Sequence, residues 1–168
     1  MLKNKILWMV VVLSIGLHAC SPSEEEAFED ADRKVREAVL AEETREPNHE
    51  LNAFQIYLPD SLEISEEDQT NVVFSDGDQP YVLFINEFEE PNSKYLYNNL
   101  PEDDEVYLST IETEDAFSYI LIQDREEETY ELSVGIGGIK MTTLTDVDHL
   151  TEESELMIEM IRSIQEKQ

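Results

Sequence analysis

Residues that could support nucleophilic catalysis are scarce in this chain. The sequence has one cysteine, Cys20, and three histidines, of which only His49 and His149 follow the N-terminal apolar segment. A serine–histidine–acid site needs a histidine beside an activated serine, often in a Gly-x-Ser-x-Gly turn, which this sequence does not contain. We therefore expect no catalytic triad, and we interpret His149 as a surface residue near the start of a helix.

Two acidic segments contain the best candidates for a metal site. Asp76 and Asp78 flank a glycine, and Asp103 and Asp104 lie in a run of four acidic residues. Ca²⁺ and Mg²⁺ prefer carboxylate oxygens, but neither segment has the spacing of an EF-hand loop. Solvated turns are the favoured interpretation, a divalent-cation site is the alternative, and no cofactor is expected.

The glycine-rich segment 135–143 invites comparison with a phosphate-binding loop. Such a loop needs a lysine directly after glycine at the start of a helix, whereas here Ile139 separates Gly138 from Lys140. The segment instead predicts a tight connection between strands, and a neighbouring acid is the expected partner of Lys140. A hydrolase with two catalytic carboxylates stays open as a further alternative, because the separation of two acids is a three-dimensional quantity.

The charge of the chain excludes one class of partner. There are 40 acidic and 11 basic residues, for a net charge of −29. Nucleic-acid binding through phosphate neutralisation needs clustered lysine and arginine, so no nucleic-acid partner is expected. Anionic lipid headgroups are also repelled, and association with a membrane therefore requires an anchor.

The N-terminal segment has the features of a signal peptide. Lys3 and Lys5 precede an apolar run over residues 6–17. That run is shorter than the roughly 20 residues that cross a bilayer, so a cleavable signal is favoured over a transmembrane helix.

The motif Leu17-His18-Ala19-Cys20 ends this segment and resembles the lipobox of bacterial lipoproteins. The resemblance implies a signal peptide over residues 1–19, cleavage between Ala19 and Cys20, and attachment of fatty acyl chains such as palmitate to Cys20. It also implies that the protein is held by its lipid at the extracytoplasmic face of the cell membrane.

A helix is predicted over residues 23–44, starting with a capping box formed by Ser23 and Glu26. Its apolar stripe at helical spacing is thin, because two of its members are alanines and only one is aromatic. The stripe consists of Phe28, Ala31, Val35, Ala38 and Val39. We therefore interpret residues 20–50 as a loosely docked, lipid-anchored stalk that ends in a linker over 45–50. A partner-binding amphipathic helix is the alternative.

Residues 51–168 predict one α+β domain. Strands are predicted at 53–58, 72–74, 81–88, 105–111, 117–123, 129–136 and 139–144, with a short helix over 93–100. A final helix over 151–166, with Thr151 as its N-cap, carries a strong apolar stripe. We expect an antiparallel sheet of about six strands packed by this C-terminal helix in an α/β sandwich. Six aromatic residues are expected mainly in its core: Tyr81, Phe84, Tyr95, Tyr97, Tyr107 and Tyr119.

The order of these elements resembles the Mog1/PsbP-like class. The matching residues are Tyr57-Leu58-Pro59 at the end of the opening strand and Met160-Ile161-Arg162-Ser163-Ile164 at the end of the closing helix. The resemblance implies an α/β sandwich that serves as a binding or accessory module. The leading hypothesis is accordingly a non-enzymatic envelope lipoprotein that binds another envelope protein or a ligand. A lipoprotein that binds a small molecule or a divalent cation is the alternative, and a carboxylate-dependent hydrolase is the second.

Overall fold

The computed structural model of the protein describes residues 23–101, 105–126 and 128–167. Its helices are α1 (Glu24–Leu40), α2 (Tyr95–Asn98) and α3 (Leu150–Arg162). Its strands are β1 (His49–Glu50), β2 (Phe54–Ile56), β3 (Glu63–Glu67), β4 (Asn71–Asp76), β5 (Gln79–Ile85), β6 (Glu105–Glu112), β7 (Phe117–Asp124), β8 (Tyr130–Ile136), β9 (Ile139–Thr145) and β10 (Gln165–Glu166).

Seven strands form the main sheet in the order β3-β4-β5-β9-β8-β7-β6, and each pairs antiparallel with its neighbours. Two tight hairpins depend on glycine in the left-handed region, with φ +57° at Gly77 and +54° at Gly137. The turn expected at Asp76–Asp78 and the tight strand connection expected within 135–143 are both confirmed as hairpin turns. Strand β3 was not predicted, because its Glu-Ile-Ser-Glu-Glu sequence lacks the apolar alternation typical of a strand.

Helices α1 and α3 cover one face of the sheet, so the predicted α+β sandwich with a packed C-terminal helix is confirmed. Alternation along the strands sends large apolar side chains to this face, where they are fully buried together with those of α3. They include Leu83, Ile120, Ile122, Leu132, Met141, Met157 and Ile158. A smaller sheet, β1-β2-β10, joins the segment after α1 to the end of the chain.

Helix α1 is part of the folded domain, which differs from the loosely docked stalk expected for this segment. Its capping box is present, since the Ser23 hydroxyl accepts from the backbone N–H of Glu26 and the Glu26 carboxylate accepts from that of Ser23. Ala31 is fully buried against α3, and its carbonyl accepts a hydrogen bond from Ser154 Oγ at 3.3 Å. The alanines that made the stripe look weak allow two helices to approach closely, because contact distance depends on side-chain size.

The start of α3 also differs from the prediction. The helix begins at Leu150, and Thr151 is not its N-cap. Its N-cap is His149, whose side chain makes no capping hydrogen bond. Asp146 organises the turn before the helix, since its Oδ1 accepts from the backbone N–H groups of Asp148 at 3.1 Å and His149 at 3.2 Å. Its negative charge near the helix start also interacts favourably with the helix dipole.

The opposite face of the sheet is only partly covered. Helix α2 is four residues long, shorter than predicted, and Tyr97 from it packs on a small cluster of Phe117, Tyr119 and Leu121. Its ring centroid lies 5.0 Å from that of Phe117. The half of this face formed by β4, β5 and β9 is more open, and among the described residues α2 contributes Leu96 to its border.

Candidate ligand-binding groove

A single row of residues crosses the partly covered face. The strand register places Asn71 opposite Phe84, Phe84 opposite Lys140, Lys140 opposite Gly135, and Gly135 opposite Tyr119. Residues directly opposite in antiparallel strands project to the same face. The row therefore brings one cation between a phenylalanine and a glycine.

The β4–β5–β9 end of this row forms an open groove with a volume of about 480 Å³. Its described lining consists of Asn71, Val82, Phe84, Leu96, Lys140 and Thr142. Leu96 comes from α2, so the short helix supplies one wall and the sheet supplies the floor. Small-molecule sites commonly have volumes of about 300–1,000 Å³, apolar walls and a few polar groups, and this groove has that composition.

Lys140 has no carboxylate or hydrogen-bond partner among the described residues, so the expected ion pair with a neighbouring acid is wrong for this part of the chain. The absence of an ion pair follows from the strand register, since the two residues directly opposite Lys140, Phe84 and Gly135, are not acidic. Every other described lysine or arginine contacts a carboxylate except Arg162, which donates to the backbone carbonyls of Ala41 and Glu43. An unpaired cation is thus a distinctive feature of this acidic protein.

The remaining polar groups of the groove are already engaged. Thr142 Oγ1 lies 2.8 Å from Ser133 Oγ, which joins β9 to β8. At the other end of the row, Asn71 Nδ2 donates to the Asp68 carboxylate at 3.2 Å. Asp68 also accepts from the backbone N–H groups of Thr70 and Asn71, and these bonds lower the pKa of Asp68. The groove therefore has a free cation in its floor and a fixed anion beyond its far end.

Gly135 lets the ring of Tyr119 lie across the sheet beside Lys140. A Cβ at position 135 would lie 2.4 Å from Tyr119 Cε1, well inside van der Waals contact. The Tyr119 hydroxyl is buried and has no hydrogen-bond partner among the described residues. Burial raises the pKa of Tyr119, so the phenol stays neutral.

A second polar cluster joins α3 to β5 on the helix-covered face. The Tyr81 hydroxyl donates to Glu153 Oε2 at 2.5 Å, and Gln79 Nε2 donates to Glu153 Oε1 at 3.3 Å. Burial raises the pKa of Glu153. Because this carboxylate is held by two side chains of β5, its evident role is to fix α3 on the sheet.

The predicted histidine and acidic sites are dispersed. His149 Nδ1 lies 2.7 Å from Asp146 Oδ1, and this contact raises the pKa of the exposed His149. His49 is exposed in β1. Neither histidine lines the groove.

Asp76 and Asp78 lie exposed at the tip of the β4–β5 hairpin. In the ranges given above, no group of three or more histidine, cysteine or acidic residues has an arrangement that could hold a metal ion. Asp103 and Asp104 fall outside the described residues, as do Ala19, Cys20 and the rest of the predicted signal peptide.

The aromatic residues expected in the core are divided between the two faces. Tyr81 and Tyr119 are buried, whereas Phe84 is half-buried in the groove and Tyr95 is exposed on α2. Sequence reasoning missed the groove itself. The sequence did contain one indication. Val82 and Phe84 on one strand, and Lys140 and Thr142 on another, have the two-residue spacing that places side chains on the same face, but their proximity follows only once β5 and β9 are known to pair.

The helices and the sequence were compared with membrane-spanning segments and with known proteins. None of the helices in the described part of the chain is long and apolar enough to cross a bilayer. No protein-family model matches the sequence, and no curated protein matches it significantly.

Proposed function

We propose that this protein is an extracytoplasmic lipoprotein, anchored through lipid on Cys20, that acts as a non-enzymatic binding module of the cell envelope. The observation that carries the binding role is the groove, which combines apolar walls with one unpaired cation. Among the binding roles considered from the sequence, the groove favours a small molecule. Its volume of about 480 Å³ suits a molecule of that size better than a protein surface.

The envelope location rests on the sequence. The lipobox-like motif before Cys20 and the short apolar run support lipid anchoring, and the net charge of −29 supports an anchor that does not depend on electrostatic attraction. A binding role is supported by the groove lining, whose described residues are mainly apolar apart from Asn71, Lys140 and Thr142.

Lipid anchoring is tested by Cys20→Ala in the native bacterium, with Ser21→Ala as the neighbouring control. Labelling with an alkyne analogue of palmitate is expected to mark the wild type and the control, and to be lost in the Cys20→Ala protein. The same variant should also lose the processed, membrane-bound form. A Cys20→Ala protein that keeps the wild-type mass and remains in the membrane would overturn the anchor.

The groove is tested with a neutral probe, 1-octanol, added to the full chain in nanodiscs of zwitterionic lipid. Methyl NMR spectra should show saturable shifts at Val82 and Leu96, which line the groove, and none at the buried Leu132. Leu96→Glu should abolish the shift at Val82 because it places a charge in the apolar wall. Leu144→Glu adds the same charge to an exposed position outside the described lining and should preserve that shift. Equal loss in both variants, or no saturable shift in the wild type, would refute a binding groove.

A further inference from the structure

We propose that the ligand of the groove is an amphipathic molecule with a single carboxylate, bound through the ammonium group of Lys140. This inference rests on the proposed binding function and specifies its ligand class. The apolar part of the ligand would contact Val82, Phe84 and Leu96.

The isolation of Lys140 favours an anionic ligand. A lysine ammonium has three donors, and this one uses none of them on a described residue, while Lys34 lies 2.9 Å from Glu155 and Lys94 lies 2.9 Å from Glu112. Lys140 is also half-buried beside apolar side chains, where solvent screening is reduced. A ligand oxyanion would satisfy the donors of Lys140 without displacing an existing partner.

The surroundings of the groove favour a ligand with a single negative charge. One cation faces the groove, and Asp68 holds its charge beyond Asn71 at the far end. The whole chain carries a net charge of −29, which opposes the approach of a polyanion. A nucleotide or a polyphosphate would bring several negative charges to one lysine. A monocarboxylate brings one, and its charge is directed to Lys140 and away from Asp68.

The groove lining favours a ligand with an apolar body. Val82 and Phe84 are two residues apart on β5 and both lie on its open face, and Leu96 of α2 faces them. These side chains offer no free hydrogen-bonding groups, and Thr142 is engaged with Ser133. A hydrocarbon chain or ring removes this apolar surface from water, whereas a sugar would leave its hydroxyl groups without partners.

The test is equilibrium dialysis of radiolabelled octanoate, 1-octanol and octylammonium against the full chain in zwitterionic nanodiscs, with empty nanodiscs subtracted. Octanoate is expected to bind most tightly, and its affinity should fall with added salt. Lys140→Met should reduce octanoate affinity by about tenfold or more, the range of a charge-assisted hydrogen bond, and leave 1-octanol binding unchanged. Lys140→Arg, which keeps the charge, should retain octanoate binding.

Lys167→Met is the matched control, because it removes the same charge at a distant position. Lys167 directly follows β10 in the small sheet and is not part of the described groove lining. The Lys167→Met variant should leave octanoate binding unchanged. An equal loss in both methionine variants would mean that only net charge matters, and the proposal would fail. Binding of 1-octanol in the groove without preference for octanoate would refute the carboxylate inference and leave the binding groove intact.

One more arm separates a free molecule from a membrane lipid. The dialysis is repeated in nanodiscs that contain phosphatidylglycerol, whose anionic headgroup could compete for Lys140. Unchanged octanoate binding supports a free amphiphile as the ligand. Loss of binding only in these nanodiscs would assign the groove to the lipid headgroup and overturn the proposal.

Discussion

The two faces of the seven-stranded sheet are built from the same strands and differ in what covers them. The face below α1 and α3 holds fully buried residues such as Leu132 and Met141, while the other face of the same two strands holds Ser133, Lys140 and Thr142. Since side chains alternate along a strand, each strand contributes to both faces at once. One face forms the helix-covered core of the domain, and the other is only partly covered.

The largest expected difference between the faces comes from the same substitution made on each. Leu132→Ala removes a side chain that is 0 % exposed under the helices and should lower the free energy of unfolding by about 2–5 kcal/mol. Leu144→Ala, on the neighbouring strand but 47 % exposed on the open face, should change it by less than about 0.5 kcal/mol. Urea denaturation of both variants measures the difference. Equal losses would show that the open face is part of the core.

Gly135→Ala should give the next largest effect, because it adds a Cβ where the Tyr119 ring lies. Overpacking of this kind costs about 1–3 kcal/mol. The cost should shrink when Gly135→Ala is made in a Tyr119→Leu background, and a double-mutant cycle measures that coupling. An additive result would mean that the ring does not oppose the new methyl group.

Two of the buried tyrosines, Tyr81 and Tyr119, sharpen the comparison further. Tyr81→Phe on the helix-covered face removes the hydrogen bond to Glu153 and should destabilise the protein by about 1–2 kcal/mol. Tyr119→Phe on the other face removes a buried hydroxyl without a described partner and should be neutral or stabilising by up to about 1 kcal/mol. Thermal unfolding of the two variants checks the opposite signs. A loss of stability in Tyr119→Phe would reveal an interaction of its hydroxyl in the folded state.

The smallest effect should be a change in pH dependence at Glu153. Burial raises the pKa of Glu153 above its ordinary value of 4.5, so the folded state binds this proton more tightly than the unfolded state does. That contribution to stability is fully present below pH 4.5 and is lost as the pH rises through the raised pKa. Glu153→Gln should flatten this decline, by less than about 1 kcal/mol because the carboxylate is half-exposed and screened. Unfolding measured from pH 4 to 8 would contradict this account if the wild type and the variant had parallel profiles.

Much of the fold could be predicted from local features of the sequence. The Asp76–Asp78 turn, the Gly137–Gly138 connection and the apolar stripe of α3 each determine structure within a few residues, and all three are confirmed. The packing of α1 into the core could not be predicted in this way, because the close packing of Ala31 depends on its contact with Ser154, which is 123 positions away in the sequence. A small residue can indicate weak packing or very close packing, and only its partner decides which.

The candidate site was hidden for a similar reason. Lys140 is one of only 11 basic residues in the sequence, but its surroundings follow from pairing with Phe84 of strand β5, 56 residues earlier. The wall formed by Leu96 depends on how a four-residue helix lies over the sheet. Hydrophobic periodicity predicts which side chains point away from the core, but it does not predict which of these side chains lie close together in the fold.

The position of the α1 cap has a consequence for how the domain would stand on a membrane. Two residues, Ser21 and Pro22, lie between Cys20 and the cap Ser23, and an extended chain covers at most about 11 Å over these three residue-to-residue steps. Because α1 is packed into the core, no flexible spacer follows, and a lipid on Cys20 would hold the base of the domain near one Debye length, about 8 Å, from the headgroups. On a zwitterionic bilayer the domain would be free to tilt, while on an anionic bilayer its acidic surface would drive it upright.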